Sequence, residues 1–231
     1  LSLDVHAGVS RAFSEETTET GGGAALRYRN DGLVATLGSE VAYDGDFKLV
    51  FRAGASGQLG KDQNLAFDAN YQVLPEVEGR LSVAYSLKRG PLNFLTYHRL
   101  LNRPAGPVLE GEVAPTLNFA NRLQLRPNLA YRVLFDDPDG NAYQGSLFAV
   151  GYFNPNLGDL DLLLGLGLGG HALWQPALDT VSYGVSAEVQ ARIIDEVWFG
   201  VGYTFGGFQG LTADSAGGLY VKLDLLTGAQ F

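Results

Sequence analysis

The chain has no cysteine, no methionine and only three histidines among its 231 residues. Without thiols there is neither a disulfide framework nor a thiolate metal site. His6, His98 and His171 fall in separate segments, so histidine-centred catalysis would need a Ser or Asp partner held beside one of them. No Gly-x-Ser-x-Gly elbow is present, and Ser56 in Gly54-Ala55-Ser56-Gly57 lacks that spacing. These absences point away from an enzyme. Although 46% of residues are hydrophobic, no run approaches the roughly 18 apolar residues that mark a membrane-crossing helix. The net charge is −9, and no exposed basic stripe is left to meet phosphates, which argues against nucleic acid as a partner.

What the chain does have is alternation. From Arg122 to Phe135 the odd positions read Leu123, Leu125, Pro127, Leu129, Tyr131, Val133 and Phe135, while the even ones begin Arg122, Gln124, Arg126 and Asn128. A period of two marks a strand with one apolar and one polar face. Soluble strands usually run about 5–6 residues, whereas a lipid-spanning strand needs roughly 9–11. The same pattern recurs at 1–12, 23–30, 33–43, 47–57, 63–73, 77–87, 91–101, 108–119, 141–153, 159–171, 178–193, 197–205 and 217–226. The expectation is an all-β fold: one transmembrane antiparallel up-and-down β-barrel of about fourteen strands spanning 1–231. Segments 91–101 and 159–171 alternate least clearly, and merging or losing a pair there leaves twelve.

The connections point the same way. The two longest, Phe13–Gly22 and Gly206–Ala216, both follow odd strands, and tight links such as Asn30-Asp31-Gly32 and Ile194-Asp195-Glu196 follow even ones. That is the loop asymmetry of an even-stranded membrane barrel with both ends on the inner side. Asp31-Gly32, Asp44-Gly45 and Asp139-Gly140 are hairpin dipeptides. Phe13, Tyr28, Tyr43, Phe47, Phe135, Tyr143, Tyr152, Phe153, Trp174 and Trp198 lie close to predicted turns, where membrane barrels carry aromatic girdles; core-filling at sheet ends is the equal alternative.

Energetics orient the strands. Arg or Lys on the lipid face at mid-membrane costs about 2–4 kcal/mol, so the polar set faces inward. The predicted lumen-lining residues are Arg27, Glu40, Lys48, Arg52, Asp68, Glu78, Arg80, Glu110, Glu112, Arg126, Arg132, Glu188 and Arg192. Opposed charges there form cross-strand ladders that fill the lumen or line a hydrated pore. A barrel of this strand number is wider than the eight-stranded type that side chains alone fill.

Two motifs read as structure. Gly165-Leu166-Gly167-Leu168-Gly169-Gly170 resembles a dinucleotide-binding turn only superficially, because no helix follows. Its glycines are expected on an inner face behind Leu160, Leu162, Leu164, Leu166 and Leu168, leaving room for bulky neighbours or a plug. Asp136-Asp137-Pro138-Asp139-Gly140 is acidic enough to attract calcium but lacks the full calcium-loop pattern. No cofactor or metal is expected.

Val197 to Leu226 carries Gly-Tyr-Thr-Phe-Gly-Gly-Phe, a loop, then Gly-Gly-Leu-Tyr-Val-Lys-Leu. This resembles the closing hairpin of the C-terminal outer-membrane barrels of large, repeat-bearing bacterial surface proteins. The last strand, with Gly217, Leu219, Val221, Leu223, Leu225 and the terminal aromatic Phe231, is similar to the signal read by barrel-assembly machinery; Thr227-Gly228-Ala229-Gln230 interrupts it. The resemblance implies an anchor in the bacterial outer membrane, with lipid, the assembly machinery and further domains of the same polypeptide as partners. The alternative is a porin-like channel for small solutes or ions. Leu1 already belongs to an alternating segment, and the expectation is that a larger chain precedes it.

Overall fold

The structure is a computed structural model that describes residues 1–12, 17–43, 45–74, 76–120, 122–155, 163–194, 197–206, 208–209, 211, 214–215 and 217–225. The strands are β1 (Ser2–Ala12), β2 (Thr17–Asn30), β3 (Leu33–Tyr43), β4 (Phe47–Gly60), β5 (Gln63–Leu74), β6 (Glu78–Arg89) and β7 (Leu92–Asn102). They continue as β8 (Val108–Phe119), β9 (Leu123–Leu134), β10 (Ala142–Phe153), β11 (Leu164–Gln175), β12 (Thr180–Ile194) and β13 (Val197–Phe205). A short ribbon of β14 (Phe208–Gln209) and β15 (Asp214–Ser215) precedes β16 (Gly218–Leu225).

Fourteen strands share one sheet in chain order, β1 through β13 and then β16, with β14–β15 as a separate two-stranded pair. Each strand hydrogen-bonds its sequence neighbour, which makes an up-and-down antiparallel sheet. Among the described residues, no ladder joins β16 to β1. Two compact units divide the chain: 1–87 with 95–111 and 133–138, and 88–94 with 112–132 and 139–231.

Strand boundaries differ from the sequence expectation where glycine misleads. β2 begins at Thr17 rather than residue 23, because Thr17 to Gly22 pair with Ala12 to Ala7 instead of forming a loop. Gly21 has to be bare: a Cβ there would stand 2.9 Å from the Val41 carbonyl oxygen. β4 likewise runs on to Gly60 through an irregularity between Gln58 and Gly60. β11 extends to Gln175, four residues past its expected end, because its register with β10 carries pairing on to Tyr143↔Trp174. Leu160 and Leu162 lie outside the described residues.

The sheet's two faces are inverted relative to a water-soluble protein. In the second unit Gln190 is 1% exposed and Glu188 5%, while Leu168 is 67% and Leu219 74% exposed. Alternation along β13 is complete, with Trp198, Gly200, Gly202 and Thr204 buried and Phe199, Val201, Tyr203 and Phe205 exposed.

Candidate functional site

Cross-strand pairing puts the predicted charged residues on the face opposite the exposed leucines. In the first unit one row reads Arg27, Thr36, Gly54, Asp68 and Ser82. The adjacent rows hold Arg52, Asn70 and Arg80, then Glu40, Val50, Gln72 and Glu78. Lys48 follows opposite Ala42. Residues directly opposite or diagonal on one face are within side-chain reach, and two ion pairs form on the diagonals. Arg52 Nη2 is 2.7 Å from Glu40 Oε2, and Arg80 Nη2 is 2.9 Å from Asp68 Oδ1. Their side chains are 59% and 36%, and 47% and 53%, exposed. These pairs sit in water and add little stability. Glu110 is held by Arg99, a residue the sequence reading left out.

The second unit is packed. On the inner face of β9, Gln124 donates to Asn118 and its carbonyl accepts from Arg126 Nε, while Asn128 donates to Glu112. Arg132 is exposed opposite Ala142, and Arg192 is half-buried opposite Trp198. Glu188 is the centre of the arrangement. Its carboxylate accepts from Tyr220 Oη at 2.8 Å, from Lys222 Nζ at 2.8 Å, and from the Gln190 amide. Both Tyr220 and Lys222 belong to β16, two strands away from β12. They reach Glu188 because the intervening strand presents Gly202 and Gly200, the register partners of Tyr220 and Lys222. A Cβ on Gly202 would collide with the Tyr220 ring, and one on Gly200 would lie 3.0 Å from the Lys222 stem.

The same device repeats on β11 and β12. Phe148 lies over Gly167 and Gly169, Tyr152 over Gly165, and His171 over Gly184. Gly165, Gly167 and Gly169 thus leave room for bulky neighbours on the polar face, as expected of them. Lys222 Nζ also stands 5.5 Å from the Phe148 ring centroid, a favourable placement over the aromatic face.

Two aromatics depart from the predicted girdles. Trp198 (1% exposed) and Tyr152 (6%) pack edge-on at 5.1 Å, together with Val150, Phe148 and Leu163. Proximity to a turn does not decide which face a ring takes; parity within the strand does. Tyr28, Tyr43, Phe47, Phe135, Tyr143, Phe153 and Trp174 are exposed as anticipated, and Phe13 lies outside the described residues. Beyond β13, Leu211 N donates to Gln144 Oε1 at 2.7 Å and Leu211 packs on Ala142 and Leu173. Among the described residues, no group of three or more potential metal ligands is gathered, and no helix is long and apolar enough to cross a membrane.

No protein-family model and no curated protein matches the chain. Among solved structures it is similar to a bacterial polysaccharide outer membrane secretin, with a TM-score of 0.50 and 10% sequence identity over 96% of this chain and 84% of that one. At that identity the likeness is one of fold. The chain is an all-β protein built on an antiparallel up-and-down sheet, an architecture that fits outer-membrane β-domains in general.

Proposed function

We propose that this chain is an integral β-barrel of the bacterial outer membrane whose task is to anchor a larger surface polypeptide there. One observation carries the membrane reading: in the second unit polar residues are buried while leucines are exposed, as with Glu188 at 5% against Leu168 at 67%. In water that arrangement wastes the hydrophobic effect on the exposed face; lipid removes that cost, while the buried Glu188 is compensated by Tyr220 and Lys222. The strand order supports closure as part of this reading. With fourteen alternating strands, the first and last run in opposite directions, so a closed barrel would join them by one more antiparallel ladder. That removes the two edges, which lipid does not tolerate.

Two features favour an anchor. The hairpin Val197–Leu226 resembles those of surface-protein barrels, and the second unit's polar face is filled by Trp198, Tyr152, Val150 and Phe148 rather than left open. A filled interior suits a part that holds rather than conducts. The test is a fusion of a soluble reporter to Leu1 behind a secretion signal. Recovery of the reporter with outer membranes, resistant to alkaline carbonate, is the expected result; release with the soluble periplasm defeats the reading.

A channel is the second reading, and the half-exposed pairs Arg52–Glu40 and Arg80–Asp68 favour it, since they describe a wet polar face in the first unit. Refolded protein in a planar bilayer separates the two. An anchor leaves the baseline flat, and stepwise conductance shows a pore.

A further inference from the structure

The first unit contains a cavity of about 270 Å³ where the ends of β5, β6 and β7 meet. Its walls include Asn70, Gln72, Glu78, Arg80, Asn102 and Arg103. The strand register builds most of it: Gln72 lies opposite Glu78, and Asn70 opposite Arg80.

The charges around the cavity are unevenly committed. Arg80 is neutralised by Asp68 at 2.9 Å. Glu78 and Arg103 carry no ion pair among the described residues, either with each other or elsewhere. One carboxylate and one guanidinium thus face the same small space unspent, between three carboxamides that both donate and accept. A guanidinium fork matches a carboxylate in a bidentate way, and a carboxylate matches an ammonium group.

We propose that this cavity binds a small zwitterion, an α-amino acid with a polar, uncharged side chain, its carboxylate on Arg103 and its ammonium on Glu78. The carboxamides of Asn70, Gln72 and Asn102 meet the side chain. A simple anion would leave Glu78 facing it, and a simple cation would face Arg103. A neutral sugar would use the amides but neither charge. The inference stands on the geometry of the first unit and does not depend on whether the chain anchors or conducts.

The test is equilibrium dialysis of the full chain refolded in detergent, with labelled glutamine, its α-amide, N-acetylglutamine and glucuronate as probes. Glutamine is retained, and each singly charged analogue binds at least about tenfold more weakly. Arg103→Gln and Glu78→Gln each lower glutamine binding about tenfold, and Glu78→Gln removes the preference for glutamine over N-acetylglutamine. Both side chains are exposed, and unchanged heat-modifiable migration on gels verifies that the variants fold. Glucuronate or N-acetylglutamine binding as tightly as glutamine overturns the proposal, as does Arg103→Gln binding normally. Absence of any binding overturns it too, and leaves the membrane reading to the fractionation experiment.

Discussion

The Tyr220 hydroxyl donates to Glu188 across the bare backbone of Gly202 at 2.8 Å, tying the last strand of the sheet to a strand that is not its neighbour. Lys222 makes the same crossing over Gly200. Backbone ladders join only adjacent strands, so these side chains add a second layer of attachment for β16.

Glu188 is 2% exposed at its side chain and Lys222 27%. Removing one partner of a buried pair strands the other charge, at about 3–5 kcal/mol when burial is complete. Solvent at Lys222 reduces that, so Lys222→Met is expected to destabilise by about 2–3 kcal/mol. Urea titration of the protein in lipid vesicles measures it. The double variant Glu188→Gln with Lys222→Met recovers most of the loss, because no ion is left unpaired.

Gly202→Val places methyl groups where the Tyr220 ring lies. Overpacking of this kind costs about 1–3 kcal/mol, and here it also breaks the Tyr220–Glu188 bond. Adding Tyr220→Ala to Gly202→Val should cost less than the sum of the two single changes. Strict additivity in the same titration would show that the ring does not depend on the glycine.

On the exposed face, Leu168→Arg should destabilise the bilayer-inserted protein by about 2–4 kcal/mol. Gln72→Arg, on the polar face opposite Glu78, should change it by less than about 0.5 kcal/mol. Equal effects from the two would mean that lipid does not cover the leucine face.

The two tryptophans give a structural reading without any stability measurement. Trp174 is 48% exposed and Trp198 1%. In vesicles of brominated phospholipid, the Trp198→Phe protein, retaining Trp174, should lose most of its fluorescence. The Trp174→Phe protein should keep its emission. Quenching of Trp198 would contradict its placement on the buried face of β13.

Much of this was legible from parity. Val181, Tyr183, Val185 and Val189 are exposed and Glu188 and Gln190 buried, as the alternation of 178–193 requires. The segment 23–30 is shorter than the strand because Gly21 and Gly22 fall in the expected Phe13–Gly22 connection, although their partners Gly8 and Ala7 supply a strand to pair with. The interior contacts were less legible. Arg80–Asp68 was among the opposed charges, but Glu188 pairs with Lys222 and Glu110 with Arg99. A diagonal contact depends on register, and register is set by turns and bulges rather than by the strand's own pattern. Trp198 carried a usable signal: it shares parity with Gly200 and Gly202, which outweighs its nearness to a turn.

The row Leu166, Val189, Val201 and Val221 runs unbroken across four strands of the exposed face. If the chain is the outer-membrane protein proposed above, those same side chains must first cross an aqueous compartment, where sticky stripes seek one another out. On that reading the crossing needs an escort, and the yield in a cell is expected to track the supply of holding chaperones on the route, however sound the final fold.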